Sequence, residues 1–274
     1  MASADNSGLE ERRQWAFDQL ASLFKNSKVP KDDELISTIL DFLLVHAFFI
    51  IRKTDKKSTL AALRTAPKPA LSEATAAICR ARFFACLVDV TTAQPSTKEG
   101  RATRQGCDSA NKLWLRRAID SLVALESDAK HVELMLDADE EIKTLRKDAV
   151  STLTRLDKLK KKDENVARGV EILLAFSLLQ TYDESEDALE LLEDVNGSAK
   201  RMFNLTSGKS TAEEDEHPPI DALLDVLIAL LEKGSAGLKE LGKLVVGMVG
   251  SAFTVSSIEH LVAVSLSSMS VAGD

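Results

Sequence analysis

The sequence predicts an all-α protein, and three observations support this class. Leu, Ala, Lys and Glu dominate the 274 residues, whereas Gly occurs 12 times and Pro 6 times, a composition that favours helices. Hydrophobic residues make up 45% of the chain and charged residues 28%, which is typical of a chain with a buried core and not of a disordered one. Apolar residues recur at helical spacing, and no segment shows the alternation of a strand. We therefore expect stacked helical hairpins and no β-strand.

The first third of the chain is predicted to hold three helices and one short helical turn. Their approximate bounds are Leu9–Lys25, residues 31–51, a turn near Leu60, and residues 72–90. The second of these is apolar nearly all round, so we expect it to be covered on both sides. Ser72 is the predicted N-cap of the last one, and Pro67 stops the short turn before it.

Four longer helices are predicted in the middle of the chain, after a polar loop over residues 93–109. Their approximate bounds are Lys112–Asp137, Asp139–Lys161, Val166–Thr181 and Asp183–Phe203. Asp183, followed three residues later by Glu186, resembles a capping box and would open the fourth helix. The cations at the end of the second helix suit the negative end of its dipole.

Three more helices are predicted near the C-terminus, and they complete the expected domain organisation. Pro219 suits the first turn of a helix, and Ser256 with Glu259 resembles the capping box of the last helix. Helical hairpins joined by short turns bury their apolar faces only by stacking on neighbours. We expect a helical solenoid segment over residues 1–204, an acidic linker over 205–219, and a terminal helical repeat over 220–270.

The segment Gly237–Lys243 fits the first seven positions of a phosphate-binding loop, but we interpret it as helix. Such a loop needs a preceding strand, free backbone amides, and Ser or Thr after the lysine to hold magnesium. Leu244 stands in that position, and Leu238 and Leu241 continue a helical apolar pattern. Helix capping and packing explain the glycines better.

Charge is unevenly distributed along the chain, although its net value is −8. Residues 1–125 carry 19 Lys/Arg and 14 Asp/Glu, whereas residues 126–274 carry 16 and 29. Basic runs in such a chain are either solvated helix ends or local phosphate-binding patches. The candidate nucleic-acid-binding residues are Arg52, Lys53, Lys56, Lys57, Lys160, Lys161 and Lys162.

We predict no catalytic residue, no cofactor and no metal site, and no small-molecule substrate. The residues around the four histidines do not have the spacing of metal ligands. We interpret His46, which lies on an apolar helix, as a core residue. Three cysteines without tight pairing argue against a disulfide framework. The longest apolar run, Leu35–Ile51, contains Asp41 and is short for a membrane span, so we expect no membrane partner.

Four segments carry a family resemblance. They are HAFFIIRKTDKKS, LSEATAAICRARFFACLVDVTT, LLQTYDESEDALELLEDV and HPPIDALLDVLIALLEKGSAGLKELGKLVVGMVGSAFTVSSIEHLVAVSL. They resemble the nucleolar DNA polymerase phi group, related to the Myb-binding protein family, in its fungal form. The resemblance spans about residues 35–266, and it rests on packing motifs. Because members are usually much longer and carry a long acidic C-terminal part, we expect this chain to be a partial copy or fragment.

The resemblance implies an armadillo/HEAT-like α-solenoid in the nucleus and nucleolus. It also implies a role in ribosomal RNA gene transcription and ribosome assembly. The implied partners are ribosomal DNA or RNA and nucleolar ribosome-assembly or transcription proteins. Polymerase activity does not carry over, because the two-metal carboxylate constellation of a polymerase is not found in this sequence. Our main hypothesis is a non-catalytic nucleolar scaffold. The alternative is a generic helical protein-interaction module, or a transcription co-regulator, without nucleic-acid contact.

Overall fold

The computed structural model of the chain describes most of its residues. They are residues 2–26, 28–94, 97–98, 101–102, 104–159, 164–183, 187–205, 218–233, 236–259 and 261–262. The chain divides into two compact units, Met1–Asp137 and Ala138–Asp274.

The described residues of unit 1 form four α-helices, a 3₁₀ turn and four short strands. In chain order these are α1 (Ala2–Lys25), α2 (Asp33–Phe48), β1 (Phe49–Ile51), the 3₁₀ turn Ala61–Arg64, α3 (Glu73–Thr92), β2 (Thr97–Lys98), β3 (Arg101–Ala102), α4 (Trp114–Glu126) and β4 (Val132–Leu134). The predicted N-cap at Ser72 is confirmed, because its hydroxyl accepts the amide of Thr75. The core lies where α2 packs on α1, α3 and α4.

The rings at the core of unit 1 pack edge to face, an arrangement that aromatic pairs prefer. Phe48 and Phe83 meet with ring centroids 5.5 Å apart at 87°. His46 is also buried and lies 4.5 Å from the Phe42 ring, so the prediction that it is a core residue is confirmed. Burial, and secondarily the charge of Arg13, lowers the pKa of His46 to about 4.

Short strands occur where we predicted helix or none, and this is the main correction to the secondary structure. The second helix was predicted to run through Ile51, but it ends at Phe48 and the chain continues as β1. The helix predicted over Lys112–Asp137 ends at Glu126, and β4 follows. β1 and β4 pair antiparallel with Ile50 opposite Glu133. The backbone amides and carbonyls of these segments, which contain apolar and β-branched residues, therefore form hydrogen bonds between the two strands.

In the part of unit 2 that the structure describes, the chain forms five α-helices and a final helical segment. They are α5 (Glu140–Leu156), α6 (Glu164–Gln180), α7 (Ala188–Met202), α8 (Pro219–Lys233), α9 (Ala236–Val249), a 3₁₀ turn (Gly250–Ala252) and helical residues 255–259 and 261–262. α6 is buried along most of its length because α5, α7 and α9 cover it. The predicted helix start at Pro219 is confirmed.

Three helix boundaries of unit 2 differ from the predicted ones. α5 ends at Leu156, before the predicted Lys161, because the amides of Lys158 and Leu159 bond to carbonyls three residues back and close the helix as a turn. α7 begins at Ala188, so Asp183 does not cap it, and Glu186 lies outside the described residues. The last helix is capped by Thr254, whose hydroxyl accepts the amide of Ser257, and not by Ser256.

The helical class of the protein is confirmed, because helices form most of the described chain. The finer prediction of an armadillo/HEAT-like solenoid stays a prediction. So does the domain division at residues 204 and 220, since most of the predicted acidic linker lies outside the described residues.

Candidate nucleic-acid interface

The first predicted basic run directly follows β1, and the β1–β4 ladder fixes its backbone. The amides of Arg52 and Lys53 both donate to the carbonyl of His131, at 2.9 and 3.2 Å. At the other end of the ladder, the amide of Met135 donates to the carbonyl of Phe48 at 2.9 Å. The run therefore begins at a defined place beside residue 131, although the two segments are far apart in sequence.

The rest of the run forms a turn that is organised by Asp55. Its carboxylate accepts the amide of Lys57 at 2.9 Å, and its own amide donates to the carbonyl of Leu63 at 2.9 Å. This is the local backbone bonding that makes Asp favourable in turns. Because the turn satisfies its own backbone, the side chains of Lys56 and Lys57 are free to extend into solvent, and both are exposed.

The four cations of the run differ in how their charge is compensated. Arg52 forms an ion pair with Glu133 across the ladder, and both side chains are about half exposed. An exposed pair of this kind contributes little to stability, on the order of 0–1 kcal/mol. Lys53, Lys56 and Lys57 are exposed and have no ion-pair partner within the part of the chain that the structure describes. The run therefore presents three uncompensated ammonium groups to solvent.

Two further cations lie beside this run and were missed by sequence reasoning. Lys130 is exposed and immediately precedes His131, whose carbonyl holds the backbone of the run. Arg64 is exposed, and its Nε donates to the carbonyl of Ser58 at 3.0 Å. The sequence around Lys130 contains no basic cluster, so only the strand pairing could have indicated its position.

The second predicted run, Lys160, Lys161 and Lys162, lies outside the described residues. It belongs to unit 2, whereas the first run belongs to unit 1. Its contribution to a nucleic-acid interface stays a prediction.

The segment that resembles a phosphate-binding loop is helical, as we predicted. Gly237–Lys243 lies inside α9. A Cβ on Gly242 would approach Cδ2 of Leu231 in α8 to 3.1 Å, so this glycine serves close helix packing. Lys243 pairs with Glu240 one helical turn away at 2.8 Å.

A cleft of 180 Å³ between α2 and α4 is a second candidate site in unit 1. Its floor includes Asp41, whose carboxylate accepts a hydrogen bond from Ser121 at 2.9 Å. Burial raises the pKa of Asp41, while the Ser121 hydrogen bond and Arg117 oppose that shift. Lys112 and Asp120 on the rim neutralise each other as an ion pair. Asp41 and Arg117 complete the charged lining, so the cleft holds two carboxylates and two cations and its formal net charge is zero.

The described residues contain no cluster of three or more His, Cys, Asp or Glu side chains that could hold a metal ion. Cys79 and Cys86 are buried; burial raises the pKa of the Cys86 thiol to about 12, and thiols in that state are poor nucleophiles. No helix in the described ranges is long and apolar enough to span a membrane.

Comparison with known proteins identifies the family. The sequence pattern of the DNA polymerase phi family matches residues 2–270. The chain is 23% identical over 242 residues to the rDNA transcriptional regulator pol5 of Schizosaccharomyces pombe, and this match covers 87% of the chain and 24% of that protein. It is 19% identical over 259 residues to a Myb-binding protein 1A-like protein of Danio rerio, covering 91% of the chain and 20% of the relative.

A third relative agrees with the first two. The chain is 23% identical over 255 residues to Myb-binding protein 1A of Rattus norvegicus, covering 92% of the chain and 18% of that protein. The chain thus spans about a quarter or less of the length of these relatives. No solved structure matches it. Because the family pattern covers nearly the whole sequence, the chain belongs to the DNA polymerase phi family.

Proposed function

We propose that this chain is part of a non-catalytic nucleolar scaffold that supports ribosomal RNA gene transcription and ribosome biogenesis. In this proposal it acts by binding ribosomal DNA and protein partners, and its helices stack as an armadillo/HEAT-like solenoid. The observation that carries the proposal is the basic surface after β1. Lys53, Lys56 and Lys57 are exposed and uncompensated there, in a family whose S. pombe member is named an rDNA transcriptional regulator.

Phosphate contacts by such lysines are the general source of affinity for nucleic acid. Each contact releases a counterion from duplex DNA and adds about 0.9 to the slope of log K against log salt. Three lysines therefore account for a slope of about 2.7, so raising the salt fourfold would weaken their contribution by about 40-fold. A change in affinity of this size is large enough to measure, even though the net charge of the whole chain is negative.

A protein-interaction role without nucleic acid is the second candidate. Two relatives are named as Myb-binding or Myb-binding-like proteins, and unit 2 carries 15 Lys/Arg and 25 Asp/Glu. A unit with an excess of acidic residues suits a basic protein partner better than a phosphate backbone. The non-catalytic assignment rests on these relatives being named as a regulator and as binding proteins, although the family description contains the word polymerase.

Titration with a ribosomal DNA duplex and an unrelated duplex, at 50 and 200 mM salt, separates the two candidates. The scaffold proposal expects binding at low salt that weakens steeply at high salt. It also expects the Arg52→Ala, Lys53→Ala, Lys56→Ala and Lys57→Ala combination to lower affinity for both duplexes equally. Circular dichroism of the variant would verify its fold. Absence of binding at 50 mM salt would favour the protein-interaction role.

A further inference from the structure

We propose that Lys130 joins Lys53, Lys56 and Lys57 in one phosphate-binding surface, which holds the sugar-phosphate backbone of a nucleic acid and reads no base. We name this set of four lysines the composite basic surface. The proposal rests on the proposed function, and it adds a residue that no basic motif marks. It also specifies how the ligand is recognised.

Strand pairing brings Lys130 beside the basic run. The carbonyl of His131 accepts the amides of both Arg52 and Lys53, so Lys130 is one residue from the point where the two segments join. Paired strands lie about 4.8 Å apart. Successive phosphates along one DNA strand are spaced by about 3.4 Å along the helix axis. Exposed lysines on the two segments are therefore close enough to meet neighbouring phosphates of one backbone.

Within the described part of unit 1, no ion pair cancels the charge of Lys130. Two carboxylates lie next to Lys130 in the β4 segment, and each is engaged elsewhere. Asp128 is hydrogen-bonded to Nδ1 of His131 at 2.8 Å, and Glu133 is paired with Arg52. Lys130 is exposed and has no ion-pair partner among the residues described for unit 1. Its charge therefore adds to that of the run instead of being cancelled within the ladder.

The described part of this surface has no exposed aromatic ring that could stack on a base. Single-strand binders place exposed aromatic rings for base stacking. The described segments 49–64 and 127–135 contain one Phe, Trp or Tyr residue. This residue is Phe49, and it is buried. The exposed side chains there are six Lys or Arg residues, Glu133, Ile50 and five small residues of the types Thr, Ala and Ser. Phosphate contacts position a protein on nucleic acid without reading its sequence, and this surface offers that kind of contact.

The test is Lys130→Gln in the full chain, with Lys28→Gln as the matched control. Lys28 is also exposed, but it precedes α2, whereas the composite basic surface follows it. The 16 residues of α2 separate the two sites by about 24 Å at 1.5 Å per residue. Both variants remove one charge, so the net charge of the chain changes equally. Fluorescence anisotropy with a labelled duplex, at several salt concentrations, gives the affinity and the salt slope.

Lys130→Gln is expected to reduce the salt slope by about 0.9 and to weaken binding about fivefold at 0.15 M salt relative to the wild type. The loss should be the same for two unrelated duplexes, and Lys28→Gln should change neither quantity. If Lys130→Gln behaves like Lys28→Gln while the variant of the run loses affinity, Lys130 is not part of the surface and the proposed function survives. A clear preference for single strands or for one sequence at this surface would overturn the proposal that it contacts only the sugar-phosphate backbone. Absence of duplex binding by the wild type would overturn both proposals.

Discussion

The close packing of α6 against α9 gives the sharpest stability prediction. A Cβ on Gly169 would lie 2.8 Å from Cγ1 of Val249 and 3.0 Å from Cβ of Met248. The first distance is shorter than real Cβ contacts show and the second is at the tight end of their range, so Gly169→Ala requires Val249 and Met248 of α9, or α6 itself, to shift. Overpacking of a core by one methyl group costs about 1–3 kcal/mol.

Gly197→Ala is the matched control, because it makes the same chemical change in α7 with no heavy atom within 4 Å of the new Cβ. Alanine is favoured over glycine in a helix interior by about 1 kcal/mol, and both variants receive this gain. We expect Gly197→Ala to be neutral or up to about 1 kcal/mol more stable, and Gly169→Ala to be about 2 kcal/mol less stable than Gly197→Ala. Urea unfolding monitored by circular dichroism measures both. Equal unfolding free energies for the two variants would refute the packing of α6 on α9.

Three further predictions concern a core histidine, a buried arginine and an exposed lysine. The pKa of His46 falls from 6.5 to about 4, chiefly through burial and then through Arg13; the unfolded chain therefore binds the proton more readily, and stability present above pH 6.5 is lost as the pH falls toward 4. Between pH 7.5 and 4.5, the free energy of unfolding should change by about 2–3 kcal/mol less in His46→Phe than in the wild type. Identical pH profiles of the wild type and the variant in urea unfolding would contradict this. Arg146 donates to the Thr181 hydroxyl at 3.0 Å and to its carbonyl, so Arg146→Met should lower the free energy of unfolding by about 2–4 kcal/mol; a loss below about 0.5 kcal/mol would show that these bonds contribute nothing. Lys243→Ala should change stability by only a few tenths of a kcal/mol and leave ATP affinity absent, and calorimetric detection of ATP binding that this change abolishes would overturn the helical interpretation of its segment.

Local signals predicted the helical parts of the fold well. Ser72 caps α3 and Pro219 starts α8 as expected, because both effects depend on a few consecutive residues. The strands β1 and β4 were missed. Each has three residues, too few for a periodic pattern, and each is stabilised by a partner more than 80 positions away. Tertiary pairing of this kind overrides local helical propensity.

The candidate interface was predictable only in part for the same physical reason. The run containing Lys53, Lys56 and Lys57 is visible in the sequence as a cluster of cations. Whether those cations are exposed and uncompensated depends on the fold, as does the approach of Lys130. Capping was also misjudged where two signals compete: Thr254 caps the last helix, although Ser256 and Glu259 fit the sequence pattern equally well.

The most direct test of the proposed function is the difference in salt slope between the wild-type chain and the fourfold Ala variant at residues 52, 53, 56 and 57. Both proteins would be titrated with one ribosomal DNA duplex from 50 to 200 mM salt. We expect the wild type to bind at low salt and the variant to lose a slope of about 3, from three free lysines and a partly paired arginine. Equal slopes, or no binding by the wild type at 50 mM salt, would contradict the claim that this surface binds nucleic acid.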